Sequence, residues 1–533
     1  MMVRCIFISF SLTNLIFYKF FADFYSKFAS LSNQFLIDVF PSTSDYIALI
    51  FNIFLGTLIL FPIVRYACSG RLIIIRWVAR LIQTILFLIA TYWILRIYSI
   101  IPIGIFGRLR SIALGLSLEH AEAIVTAALL GLFMLAFLLM YLGRHRLSSL
   151  LSFQNTLILV FAPFGLFTLL QITYWLATES SSVIKPAFSQ SALSLRNTTL
   201  PVNRVVIILF DELDFRLSFV ERPLFVSLPE LDKFTAKSVF FENAYPPSNS
   251  TLMSIPSLTT SRMLTGTLPV GGSDLMLQEV GVSKLWHDTP NLFSIAKEIG
   301  VKTALVGWYL PYCRIFTDVI DNCFSSSDMG ILQSDDSILE KMYSNLRGII
   351  ETPNFSFFGQ SIATQRSSKL YETMLNKSLN VVADDRYGLV YLHFSIPHAP
   401  TIYNSTTKEL SGRNSPVVGY FDNLMLVDKT LGQLRAKLEE AGQWDNTTVL
   451  LTSDHWWRYS KQFDGKADHR VPFIIKTKNQ QVGLEFGATF NNFIMSDLVI
   501  DLLKGAVSNS QQVIDFISKI DKFQKPVEVY GFD

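Results

Sequence analysis

Val449-Leu450-Leu451-Thr452-Ser453-Asp454-His455 is the stretch on which the fold turns. A largely apolar run closing on a carboxylate and an imidazole reads as a buried strand that delivers two metal ligands to its carboxyl end. In open α/β sheets that end opens into a crevice between helices, where ligands sit. An isolated Asp-His pair occurs on many surfaces, so its weight depends on other fragments completing one site. Val205-Val206-Ile207-Ile208-Leu209-Phe210-Asp211-Glu212 is a second run of this kind. A strand ending on two acids suits a divalent cation, which keeps carboxylates ionised in a partly buried crevice. The plainer reading is a turn acid capping the next helix.

A third fragment is rich in hydroxyls: Pro246-Pro247-Ser248-Asn249-Ser250-Thr251-Leu252-Met253-Ser254-Ile255-Pro256, with a helix expected from Ser257 to Leu264. Backbone N–H groups and the helix dipole favour an anion at such a start. A Ser or Thr bound to a metal there loses its proton more easily and can attack phosphorus or sulfur. A plain N-cap is the commoner fate of such residues. His393-Phe394-Ser395-Ile396-Pro397-His398-Ala399-Pro400 closes another buried strand, and its prolines stiffen the loop that carries His398. His469-Arg470-Val471-Pro472 offers one more imidazole beside a cation. Asp211, Asp454, His455 and a hydroxyl make a mixed oxygen and nitrogen set that one divalent ion accepts, whether zinc, manganese, magnesium or calcium. His398 and His469 are left to hold a substrate's anionic group or a leaving group.

Around these fragments short apolar strands alternate with amphipathic helices, the pattern of a largely parallel sheet. Strands are expected at Arg204–Phe210, Thr303–Val306, Leu389–Ser395, Thr447–Ser453 and Phe473–Lys476, and helices at Leu292–Ile299, Asn423–Ala441 and Phe493–Leu503. Leu310–Asp385 is poorly periodic, and its middle reads as an insertion or lid. Cys313 and Cys323 lie close enough in sequence to close a short disulfide loop.

The N-terminal third is different in kind. Half of the 533 residues are hydrophobic and the mean hydropathy is +0.36, too apolar for an ordinary soluble enzyme. Runs near Val3–Phe21, Tyr46–Val64, Leu81–Tyr98, Ala123–Leu142 and Leu157–Ala177 approach the ~20 residues that cross a bilayer. We expect about five spans. Arg65, Arg71, Arg76 and Arg80, then Arg144 and Arg146, fall on one side, which the positive-inside rule makes cytoplasmic. Everything after Ala177 is then exported. The expected division is a membrane domain over 1–178, a Ser/Thr-rich linker over 179–203 and an exported domain over 204–533. The net charge of +2 and the lack of a basic stripe argue against a nucleic-acid partner.

The set of fragments resembles the alkaline phosphatase/sulfatase superfamily, and most of all its membrane-anchored branch of phosphoethanolamine and phosphoglycerol transferases. The resemblance rests on an ordered series: Asp211 at a strand end, Thr251/Ser254/Pro256, His398/Pro400, Ser453/Asp454/His455 and His469/Pro472. It implies an N-terminal α-helical transmembrane bundle followed by an α/β sulfatase-like (alkaline phosphatase-like) domain, in a bacterial inner membrane with the C-terminal domain outside the cytoplasm. It implies Thr251 as nucleophile and metal ligand, with Ser254 as the alternative, and Asp211, Asp454 and His455 as the other ligands. His398 and His469 would bind the transferred group or move protons, with Glu212 and Trp456 beside the substrate.

The chain departs from the sulfatase pattern in one informative way. Ser254-Ile255-Pro256-Ser257 echoes the sulfatase nucleophile motif, but the arginine expected next is missing and Arg262 comes too late. The transferase branch usually has a glycine after Ser-Asp-His; here Trp456-Trp457-Arg458 follows. The expected activity is headgroup transfer from a membrane phospholipid donor to a lipid or glycan acceptor through a phospho-threonine. A phosphate or sulfate ester hydrolase with the same site, and a non-catalytic lipid-binding protein retaining the fold, are the alternatives. Oligomeric state is open at this level.

Overall fold

The computed structural model describes residues 2–29, 35–36, 42–69, 72–97, 144–178, 203–327, 337–350, 362–411, 416–520 and 523–529. The chain divides into two compact units. The first comprises Met1–Phe28, Val39–Ile184 and Leu332–Phe355; the second comprises Ala29–Asp38, Lys185–Ile331 and Ser356–Asp533.

In the first unit the long helices are Met2–Ala29, Thr43–Ser69, Ile73–Ile97, Arg144–Val160 and Ala162–Thr178. Among the described residues three helical stretches are long and apolar enough to cross a membrane: Thr43–Ser69, Ile73–Thr91 and Ser152–Tyr174. Five spans were expected, so the count differs. The run at Ala123–Leu142 lies outside the described residues, and the first run contributes the shorter apolar stretch Met2–Tyr18. Within that stretch Ser9, Thr13 and Asn14 turn back onto the carbonyls of Cys5, Ser9 and Phe10.

The second unit is built on an eight-stranded sheet. Among the described residues the strands of this unit are β1 Arg204–Asp211, β2 Val239–Phe241, β3 Ala244–Tyr245, β4 Gly266–Val270, β5 Asp274–Glu279, β6 Val282–Leu285, β7 Thr303–Trp308, β8 Asn322–Ser326, β9 Leu389–Pro397, β10 Thr447–Ser453, β11 Phe473–Lys476, β12 Leu484–Phe486 and β13 Phe490–Asn491. The main sheet runs β12-β2-β11-β10-β1-β9-β7-β8, while β4-β5-β6 and β3-β13 form small separate sheets. From β10 to β8 every neighbour pair is parallel; β11 is antiparallel to both β10 and β2.

β1 and β10 are buried at every position, which is why they read as unbroken apolar runs rather than alternating ones. Side-chain alternation sorts β1 onto two cores. Val205, Ile207 and Leu209 join one with the helices Thr251–Thr260, Leu292–Glu298 and Met495–Lys504. Val206, Ile208 and Phe210 join the other with Pro229–Thr235, Ile362–Ala383 and Pro416–Glu440. Helices cover both faces, as parallel sheets require. Each fully buried Ile or Leu contributes ~1.5–3 kcal/mol, so the centre of this sheet is the stable platform.

Two expectations change at this point. The helix expected at Ser257–Leu264 runs instead from Thr251 to Thr260, with Ser250 as its N-cap and Pro256 inside it. The insertion expected in Leu310–Asp385 contains the helices Ile338–Ile350 and Ile362–Ala383, and its segment Leu332–Phe355 belongs to the first unit.

Candidate active site

The site follows from strand register. β1 and β10 are parallel neighbours with Phe210 opposite Ser453, so the next residues, Asp211 and Asp454, leave the sheet side by side. Ser453 fastens the two ends: its Oγ accepts from the Leu213 N–H at 3.0 Å and lies 2.7 Å from the Phe210 carbonyl. Glu212 takes a left-handed φ of 64°, and its N–H donates to Asp454 Oδ1 at 3.3 Å. A non-glycine residue rarely adopts that conformation, and such turns cluster at functional sites.

Both carboxylates are completely enclosed, and Asp211 Oδ1 and Oδ2 and Asp454 Oδ2 have no hydrogen-bond partner. Buried polar atoms are otherwise nearly always satisfied, because an unmet one costs about 1–3 kcal/mol. His455 Nε2 lies 3.3 Å from Asp454 Oδ2 and 3.7 Å from Asp211 Oδ1. Its Nδ1–H donates to the Trp456 carbonyl at 3.0 Å, a contact that leaves the Nε2 lone pair facing the acids. Thr251, in the first turn of its helix, brings Oγ1 to 3.2 Å from the same Nε2.

Sequence reasoning missed one member. His393 stands on β9 opposite Leu209, hence on the face that carries Asp211. Asp211, His393 and Asp454 offer ligand atoms within 4.8 Å of one another. Its Nδ1 meets the Tyr312 hydroxyl at 2.9 Å, and its Nε2 is buried without a partner. Inside an apolar strand an imidazole is easily taken as core. The available signal was parity, since residues of β9 in register with Leu209 and Asp211 share their face.

Electrostatics point the same way. Burial pushes the Asp211 carboxyl well above the usual range, and the charges of Asp454 and Glu212 add to it. Burial acts on Asp454 too, but His455 and His393 outweigh it and hold that carboxyl below its ordinary value. Burial lowers His393 to about 4 and also lowers His455, which favours neutral imidazoles with lone pairs to give once a cation supplies the positive charge. Three buried acids face one guanidinium, Arg458, whose Nε donates to Glu212 Oε1 at 2.8 Å. The site therefore lacks positive charge. A divalent cation fits this donor set of unpaired carboxylate oxygens flanked by neutral imidazoles.

The other expected residues sit further out. His398 donates from its backbone N–H to the Asp211 carbonyl at 3.2 Å, and its Nε2 lies 3.4 Å from an Arg458 nitrogen. His469 stacks on Trp456 with ring centroids 4.1 Å apart. Neither is among the ligand atoms gathered around the acids. Ser254 is buried and donates to the Ser248 carbonyl at 3.0 Å instead. Trp456 is 5% exposed, and Trp457 stacks on Tyr420 at 3.9 Å within the second core. Cys313 and Cys323 are joined by a disulfide.

Residues 203–505, more than half of the chain, match the family described as Sulfatase. The chain belongs to the sulfatase family. It is an enzyme of the alkaline phosphatase/sulfatase superfamily, whose members bind a divalent metal. Among solved structures it is similar to the phosphonate monoester hydrolase of Agrobacterium radiobacter, at 14% identity over 57% of this chain and 74% of that one, with a TM-score of 0.39. It is also similar to the PsFucS1 sulfatase from Pseudoalteromonas sp., at 17% identity over 61% and 73%, with a TM-score of 0.41. A putative sulfatase from Bacteroides fragilis aligns at 13% identity over 62% and 81%, with a TM-score of 0.38. No curated protein sequence matches the chain.

Proposed function

We propose that this sulfatase-family enzyme is a membrane-bound, metal-dependent transferase that moves a phospho-headgroup from a phospholipid to an envelope lipid or glycan. In this reading residues 1–178 are the membrane domain, 179–203 a linker, and 204–533 a catalytic domain outside the cytoplasm. Asp211, Asp454 and His455 hold the cation together with Thr251, and His393 is placed to join them. One observation carries the choice of nucleophile: Thr251 Oγ1 stands 3.2 Å from His455 Nε2 beside the unpaired acid oxygens, whereas Ser254 is tied to a carbonyl. The lack of an arginine in the Ser254-Ile255-Pro256-Ser257 motif supports the same preference. A divalent cation in the site supplies the charge that lets a neighbouring alcohol ionise near neutral pH.

In the first half-reaction Thr251 gives its proton to solvent and its Oγ1 forms a bond to phosphorus. The bond from phosphorus to the diacylglycerol oxygen breaks, and that oxygen takes up a proton. His398, whose ring Nε2 lies 3.4 Å from an Arg458 nitrogen, is the imidazole that passes it. In the second half-reaction an acceptor hydroxyl loses its proton by the same route and attacks phosphorus; the bond to Thr251 breaks and the Thr251 oxygen takes up a proton from solvent. Arg458, fixed by Glu212 at 2.8 Å, brings a positive charge beside the acids that attracts phosphoryl oxygens.

The test uses the full chain in vesicles with a headgroup-labelled phospholipid. With no acceptor present, label should accumulate on a peptide containing Thr251; added acceptor should discharge it. Label released as the free headgroup phosphate, with none on any acceptor, would replace the transferase by a hydrolase.

A further inference from the structure

Within the first unit, the helix Ile338–Ile350 is amphipathic with its faces reversed. Leu339 and Tyr343 lie on one side, 76% and 66% exposed, while Lys341 and Asn345 on the opposite side are 2% and 3% exposed. Residues two apart on a helix point roughly opposite ways, and residues four apart share a face, so these are two distinct stripes. The helix begins at a capping box, in which the Ser337 N–H donates to Glu340 Oε2 at 2.7 Å and the Glu340 N–H donates to Ser337 Oγ at 3.3 Å.

Lys341 of the buried polar stripe is engaged at the start of the apolar helix Thr43–Ser69. Lys341 Nζ forms an ion pair with Asp45 Oδ1 at 3.0 Å and donates to Ser42 Oγ at 3.0 Å and Ser44 Oγ at 2.8 Å. Asn52, two turns further along that helix, donates to the Met342 carbonyl at 3.2 Å. At 1.5 Å per residue, Asn52 is roughly 10 Å past Asp45 along the axis. On the same helix Phe51, Phe54 and Leu58 are 50%, 58% and 69% exposed.

We infer that the Ile338–Ile350 helix lies in the headgroup–acyl boundary of a lipid bilayer, pinned by Lys341 to the outset of a membrane span and presenting Leu339 and Tyr343 to lipid. The inference rests on the membrane reading of Thr43–Ser69. Lipid is the occupant because the helix is fastened to a span whose own Phe51, Phe54 and Leu58 are exposed. The contacts run from Asp45 to Asn52, roughly 10 Å along the span, the scale of the ~5–10 Å to which interfacial helices sink. A short helix with an apolar face turned to water and polar groups inside has no reason to hold together; against lipid the same arrangement is favourable. The chain thus meets the membrane a second time at Ile338–Ile350, well after the N-terminal spans.

Environment-sensitive fluorescence in the full chain tests this. In a Cys5→Ser, Cys68→Ser background, single-cysteine labels are attached to the Leu339→Cys, Tyr343→Cys, Phe54→Cys and Glu440→Cys variants, and the protein is reconstituted in phosphatidylcholine vesicles. Spin-labelled lipid with a shallow quencher should quench the Leu339 and Tyr343 labels about as well as the Phe54 label, and several-fold more than Glu440. Quenching at the Glu440 level with free access to aqueous iodide would overturn the inference. So would protection from lipid and iodide together, with cross-linking to a second copy through Leu339→Cys, since protein would then cover the stripe. Failure at Phe54 as well would remove the membrane reading beneath it.

Discussion

Asp211 and Asp45 are both buried acids, and the chain treats them in opposite ways. Asp45 receives a lysine at 3.0 Å, with serine hydroxyls completing the lysine's shell. Asp211 and Asp454 receive neutral imidazoles and one another, and their outward oxygens stay unmatched. Asp428 shows a third solution, accepting at 2.8 Å from the Leu231 N–H in the first turn of the Pro229–Thr235 helix. Where a carboxylate is structural, the protein supplies its counterpart from the chain. Where it serves a ligand, the countercharge is left to arrive from outside.

The comparison can be broken most severely at Thr251. Thr251→Ala should lower turnover by on the order of 10⁴-fold or more, as removal of a nucleophile does. The rise in thermal midpoint on adding a divalent ion should persist, because the acids and imidazoles remain. Retained turnover would transfer the chemistry to another group.

Next comes the structural pair. Asp45→Asn strands Lys341 without its partner and should destabilise the chain by about 3–5 kcal/mol. The double variant Asp45→Asn with Lys341→Met should recover much of that loss, as read by denaturation of the full chain in detergent. A neutral single substitution would mean that the pair is not matched as described.

Asp211→Asn should have the contrary sign in the metal-free protein. Removing one of two adjacent buried negative charges should stabilise that state by about 1 kcal/mol or more. The same variant should lose the stabilisation by divalent ions. If it weakens the metal-free fold as Asp45→Asn does, the distinction between structural and ligand acids fails.

Asp428 gives the smallest effect and a pH signature. Burial raises its carboxyl from 3.8 to about 6. The native state then holds an extra proton between those values, so the associated stability is complete below about pH 4 and gone above about pH 6. Asp428→Asn should stabilise the chain by on the order of 1 kcal/mol at pH 8 and by very little at pH 4. A gain equal at both values would point to packing rather than charge.

Much of this was legible in the residues. The Thr447–Ser453 and Phe473–Lys476 strands fall where they were expected, because strands buried on both faces carry unbroken apolar runs bounded by polar turns. The mostly parallel sheet followed from strand–helix alternation. The helix starting at Thr251 was misplaced by six residues: its hydroxyls resemble loop, and Pro256 sits mid-helix. His393 was hidden because an imidazole in a β-strand announces its face only once register is known. Lys341 and Asp45, 296 positions apart, meet through tertiary packing that no local pattern records. The five apolar runs were counted by composition alone, and the described helices support three.

The most direct measurement is the divalent-metal content of the purified full-length protein beside its Asp454→Asn variant. The account predicts about one tightly held ion per chain in the parent, and its loss in a variant that still folds. A parent chain carrying no ion after gentle purification and divalent-ion supplementation, or a variant that keeps it, would contradict the convergence of Asp211 and Asp454 on a cation.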